Sequence, residues 1–269
     1  MIRTSPKPLP RPILHPKPQR LLNRRPLTMT LITSFRCADG GVLLCADKER
    51  SDAIGKRAVE KLFRIRTNQG SFLIAGSGRS SIVDNTLMRL ESELKQRGDD
   101  PNVVLFDKHK DIIETVLYEI HEEYIWGNRD ESNRQIRLIV AAAFRSPYST
   151  PIVYGTDEEI LVPQQLYGCA GAGQDLAYYF ADKLYNDHLS REGATLINAF
   201  IFREVSRVVS GVGLGVDMWF LAAKDQAWYR LSPEKVEELQ SIIPDIGSSI
   251  SDAWNVKIQI PAWLTQFFT

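Results

Sequence analysis

From Thr30 onward the chain changes its hydrophobic period in blocks, and the order of those blocks limits the folds open to it. Thr30–Arg36 and Val42–Ala46 are apolar runs around Asp39-Gly40-Gly41, which reads as a hairpin. Lys61–Thr67 and Ser71–Ala75 flank Asn68-Gln69-Gly70 and read as a second. The period then lengthens. Ile82, Val83, Thr86, Leu87, Leu90 and Leu94 fall at helical spacing, and Val103 to about Ile125 continues helical. Ile136–Phe144 is an unbroken apolar strand, and residues 147–163 hold turns and short strands. Asp175–His188 and Ala194–Ser210 predict two more helices. Val216–Ala223 and Ala227–Leu231 close as a hairpin around Lys224-Asp225, and the tail after Pro233 is partly helical. Hairpins imply antiparallel sheets, and helices in pairs imply helical layers. "LIAGSGRSSIVDNTL" and "LYGCAGAGQDLAYYF" repeat one plan of apolar strand, glycine turn and helix, as two facing halves would.

Residues 1–28 are of another kind. Seven prolines there oppose a helix and predict an extended, disordered segment. It carries seven Lys and Arg and no acid. Those seven removed, 26 bases face 33 acids, so the body of the chain sits near −7 and lacks the basic footprint of a nucleic-acid binder. The segment has no apolar core of a secretory signal, and its prolines oppose the amphipathic helix of a mitochondrial one. A basic arm, a removable pro-segment and an extension upstream of a start at Met29 remain; the last is preferred. No run approaches the length of a membrane span. Three cysteines without a CxxC pair argue for a reducing, cytoplasmic setting.

Most chemistry-bearing patterns fail on inspection. Gly76-Ser77-Gly78 and Gly171-Ala172-Gly173 do not continue into a phosphate loop, and Leu176 stands where a dinucleotide fingerprint needs a third glycine. Close backbone packing at a corner is the better reading, as it is for Gly211-Val212-Gly213-Leu214-Gly215. His121-Glu122-Glu123 is followed by Ile125, so the zinc motif is broken. Cys37 and Cys45 read as small core residues. Asp47 and Lys61 differ. Asp47 ends an apolar strand, where a charge is costly unless paired, and Lys61 opens the next paired strand. A partly buried ion pair between them is expected, structural or catalytic.

"TLITSFRCADGGVLLCAD", then "VEKLFRI" and "LIAGSG", resembles the catalytic β-subunits of the proteasome and the bacterial peptidases of that N-terminal-nucleophile (Ntn) hydrolase superfamily. The resemblance is clearest from Thr30 to about Leu94 and runs more faintly to Leu231. It implies an α+β fold, a four-layer αββα sandwich over residues 30–269. It also implies a threonine-type peptidase or amidohydrolase with Thr30 as nucleophile, Lys61 beside it, Asp47 orienting Lys61, and the Gly76 N–H as oxyanion donor. Val59 and Ile74 match positions that line the substrate pocket. If translation starts at Met29, removal of that methionine frees the Thr30 amine. The resemblance further implies a homo-oligomeric ring that confines peptide or unfolded protein, possible service by an ATP-driven unfoldase, and no metal or cofactor. An inactive structural subunit and a small-molecule amidase are the alternatives. Two departures weigh on activity. Ala172 stands where the family keeps a serine, and "SGVGLGVD" replaces an Asp and Ser that support the amine, leaving Asp217 or Ser210 as substitutes.

Overall fold

The computed structural model describes residues 30–51, 55–98, 100, 106–127, 136–145 and 150–243. The expectations for residues 1–28, for the start of the second helix and for the tail beyond residue 243 fall outside them. Among the described residues the chain is α+β, with antiparallel sheets and five α-helices.

The first sheet has the order β10-β1-β2-β11-β12, from β1 (Leu31–Arg36), β2 (Val42–Asp47), β10 (Tyr167–Gly171), β11 (Val216–Leu221) and β12 (Trp228–Leu231). The second has the order β5-β6-β7-β8-β9, from β5 (Leu62–Arg66), β6 (Gly70–Gly78), β7 (Ile136–Phe144), β8 (Ile152–Asp157) and β9 (Ile160–Pro163). A short ribbon, β3 (Glu49–Ser51) with β4 (Lys56–Ala58), follows β2. The helices are α1 (Ser80–Gly98), α2 (Phe106–Ile120), α3 (Gln174–Leu184), α4 (Arg191–Val208) and α5 (Pro233–Ile242). A π-turn, His121–Ile125, extends α2. All three hairpins read from the sequence form, with Thr33 opposite Cys45, Ile65 opposite Phe72 and Phe220 opposite Tyr229.

The central strands are apolar along their whole length because both faces are buried. On β2, Leu43 and Cys45 join a cluster with Ala181, Ile197 and Phe200 of α3 and α4, while Val42, Leu44 and Ala46 join one with Leu73 and Ala75 of β6. On β6, Phe72 and Ile74 turn the other way, to Leu87, Leu90 and Ile113 of α1 and α2. Helices α4 and α5 start where side chains cap them. Ser190 accepts from Gly193 N at 3.1 Å and Ser232 from Lys235 N at 3.4 Å, the latter with Pro233 in the first turn.

The internal echo is visible at two corners. β6 leads into α1 through Gly78 (φ +135°), and β10 leads into α3 through Gly171 (φ +88°) and Gly173 (φ +70°). Gly171 and Gly173 serve close approach. A Cβ on Gly171 would lie 1.7 Å from Thr30 O, and one on Gly173 would lie 2.5 Å from Val205.

Candidate active site

Asp47 ends β2 and is almost wholly buried. Its Oδ1 accepts from Leu31 N at 2.8 Å, and its Oδ2 accepts from Glu49 N at 3.0 Å and Lys61 Nζ at 3.1 Å. Gly213 N approaches the same oxygen at 3.5 Å. Lys61 Nζ also donates to Glu49 O. One carboxylate therefore ties the start of β1 to the lysine before β5, and so joins the ends of two sheets. Burial pushes the Asp47 carboxyl up to about 6, against the pull of Lys61 and the two backbone donors. Burial likewise lowers Lys61, with Asp47 opposing. Each charge depends on the other being present.

Thr30 and Lys61 line one cleft, partly open to solvent. Its apolar lining is Val59, Phe63 and Val83, and its rim carries Glu49, Glu60 and an Arg50–Asp84 ion pair at 3.2 Å. Gly76 belongs to the lining too. A Cβ there would come within 2.4 Å of Val83, so the missing side chain lets α1 pack directly on the strand. Register between β5 and β6 extends to Leu62 opposite Ala75 and stops there, which leaves the Gly76 edge without a β5 partner.

Of the six residues singled out by sequence, Thr30, Asp47, Lys61, Gly76 and Val59 gather at this cleft or directly beneath it. Ile74 does not. It is fully buried against α1 and α2 and is absent from the lining. It shares its face of β6 with Gly76 and lies opposite Phe63, but it sits deeper, under α1 and α2, while Phe63 and Val83 contribute apolar lining.

Asp217 and Ser210 stand elsewhere. Asp217 accepts from Arg230 Nε at 3.0 Å, Arg230 in turn pairs with Glu60 at 2.8 Å, and Ser210 is exposed. The hydroxyl that meets Thr30 is Ser77, which sequence reasoning passed over. Its Oγ accepts from Thr30 N at 3.3 Å and donates to Thr30 O at 2.8 Å. Ala172 N donates to the same carbonyl at 3.0 Å. Nothing local marks Ser77, because its partner lies 47 residues away.

The three cysteines are free and buried, and burial pushes the Cys37 thiol up to about 12. That disfavours the thiolate and fits small core residues. No group of His, Cys, Asp and Glu suited to a metal occurs among the described residues. No described helix is long and apolar enough to cross a membrane.

The contact between Gly171 and Thr30 makes a stability prediction. Gly171→Ala forces a Cβ onto Thr30 O at a backbone angle that L-residues avoid. It is expected to destabilise by about 3 kcal/mol, read as a lower urea midpoint at unchanged m-value.

No family model matches the chain, and no curated protein is similar to it in sequence. Solved structures are similar. Anbu (ancestral beta-subunit) from Yersinia bercovieri aligns at a TM-score of 0.64 and 11% identity, over 78% of this chain and 92% of its own. The chain shares its fold with Anbu. Anbu from Hyphomicrobium sp. strain MC1 aligns at 0.62 and 14%, over 78% and 92%. The Anbu complex from Pseudomonas aeruginosa, described as a helical assembly, aligns at 0.62 and 15%, over 78% and 91%. These neighbours correct the family expectation. The sequence resemblance pointed to proteasome β-subunits and bacterial proteasome-type peptidases, whereas Anbu is a distinct, proteasome-like family of Ntn-hydrolase relatives.

Proposed function

We propose that this protein is a threonine-type amidohydrolase or peptidase whose nucleophile is Thr30, working once the peptide bond before Thr30 is opened. The observation that carries this is the cleft shared by Thr30 and Lys61, with Asp47 holding Lys61 and the Leu31 amide together. A threonine hydroxyl needs a base, and an α-amine titrates at about 8, near working pH. The amine takes the hydroxyl proton, directly or through one water. The Thr30 Oγ then attacks the substrate carbonyl while the Lys61 ammonium favours the developing alkoxide. Gly76 N–H donates to the oxyanion, a contribution of about 3 kcal/mol to the barrier. The C–N bond breaks, the amine product leaves with the proton, and water hydrolyses the ester on Thr30. No metal or cofactor enters these steps. The apolar lining of Val59, Phe63 and Val83 suits cleavage after apolar residues.

The fold reading behind this is a four-layer αββα sandwich. It is supported by one apolar cluster between the sheets and one between each sheet and its own helices. Residues 30–269 form its domain in this reading, with residues 1–28 as a separate extension. Assembly into a homo-oligomer that confines peptide or unfolded protein, in a cytoplasmic setting, draws support from the helical assembly of the Pseudomonas aeruginosa relative. Two features favour a second reading, an inactive structural subunit: Ala172 stands where a serine was expected, and Asp217 is committed to Arg230.

Intact mass of the natively expressed protein separates the two. A chain beginning at Thr30 supports catalysis, and one retaining Met1 supports the structural subunit.

The pH dependence has two steps. Hydrolysis is expected to fall as pH drops below about 8, where the Thr30 amine becomes protonated, and more steeply through about 6, where Asp47 takes up a proton and releases Lys61. Stability moves the other way. The folded-state value lies above the ordinary 3.8, so the contribution of Asp47 is full below 3.8 and is lost as pH rises through about 6. Initial rates and thermal midpoints measured over one pH series check both signs.

A further inference from the structure

Ser77 occupies an unusual place. It is buried at the corner between β6 and α1, on the sheet opposite to β1, yet its single hydroxyl serves both backbone groups of Thr30. It donates to Thr30 O, which fixes the hydroxyl proton and leaves an oxygen lone pair for Thr30 N. The corner is tight. A Cβ on Gly171 would lie 2.4 Å from Ser77 Oγ, so the second glycine corner closes the space around that hydroxyl. The corresponding position of that second corner, Ala172, has no hydroxyl and reaches Thr30 only through its backbone N–H.

We propose that Ser77 is a positioning residue that holds the freed α-amine of Thr30 within reach of the threonine's own hydroxyl. This rests on the reading of Thr30 as nucleophile. The backbone nitrogen of Thr30 keeps its place when the preceding peptide bond is opened, because the strand pairings of Leu31 and the Ala172 bond to Thr30 O remain. What changes is its chemistry. An amide N–H becomes an amine that must be aimed. Ser77 is the described side chain that accepts from it. It also favours the protonated form, since an acceptor fixed at the nitrogen stabilises an ammonium more than a neutral amine. The first corner thereby supplies the hydroxyl that the second corner lacks.

The test uses the chain beginning at Thr30, as wild type, Ser77→Ala, Ser77→Cys and Ser77→Thr. Two quantities are read: kcat and KM on a peptide substrate, and the titration of the Thr30 amine followed by its nitrogen NMR signal. Ser77→Ala is expected to lower kcat about tenfold or more at unchanged KM, and to lower the amine titration by about one pH unit. Ser77→Thr keeps the hydroxyl and restores most of both. Ser77→Cys keeps a side chain there, slightly larger and a weaker acceptor, and gives the same direction should the alanine variant fail to fold. The other charged groups around Thr30, Asp47, Glu49, Arg50, Glu60, Lys61 and Asp84, are untouched by these variants. A purely structural role predicts lower stability with kcat and amine titration both unchanged in the folded variants, and that result overturns the inference. If the wild-type chain hydrolyses nothing, the reading of Thr30 fails, while the amine titration still decides the role of Ser77.

Discussion

Thr30→Ala, in a chain trimmed to begin at residue 30, is expected to lose at least about a thousandfold in hydrolysis while keeping its fold. The variant removes one hydroxyl and leaves the amine, Lys61 and Asp47 in place. Deleting the nucleophile of a catalytic unit costs nearly as much as deleting the whole unit. Little stability should change. The interactions that seat Thr30 run through its backbone, from N to Ser77 and from O to Ser77 and Ala172. A thermal midpoint close to wild type beside an abolished rate separates chemistry from folding. A rate within tenfold of wild type means that another group carries the reaction.

Lys61→Ala is expected to damage both function and fold. Lys61 and Asp47 form a pair whose side chains are 11% and 1% exposed, so removing the lysine leaves a buried carboxylate facing only N–H groups. Breaking a buried pair from one side costs about 3–5 kcal/mol. The pH dependence identifies the cause. Without Lys61 the folded-state titration of Asp47 rises still further above its unfolded value. A group shifted in that direction contributes stability at low pH and loses it as pH rises. The gap between wild type and Lys61→Ala should therefore widen from acid to neutral pH, as urea denaturation at several pH values would reveal. A gap constant with pH would mean that lost packing of the lysine stem, rather than the stranded carboxylate, is responsible.

Particular residues mark how far the sequence could be read. The hairpin around Asp39-Gly40-Gly41 was legible because a turn signal sits between two apolar runs. Helix α1 was legible because Ile82 through Leu94 keep the helical period. The Asp47–Lys61 pair was legible because a charge at the end of an apolar strand needs a partner. The β3–β4 ribbon was not. Its three-residue strands, Glu49–Ser51 and Lys56–Ala58, are too short and polar to carry a period. Helix α3 ends at Leu184, short of the expected His188, because Tyr185 turns extended and Asn186 caps the His188 amide. Helix α4 begins at Arg191, a turn ahead of its apolar stripe, because Ser190 supplies the cap. The depth of Ile74 was not legible because a motif match gives position along a strand, whereas burial depends on which helices pack over it. Ser77 was hidden because its partner exists only after two sheets meet.

The central claim is that Thr30 is an activated nucleophile. It is tested most directly by treating the natively purified protein with an electrophile directed at N-terminal threonine and mapping the adduct by mass spectrometry. The account predicts one adduct per chain, on Thr30, with none on Lys61→Ala under the same conditions. Hydrolytic activity from a chain whose Thr30 stays in peptide linkage and takes up no label would contradict it.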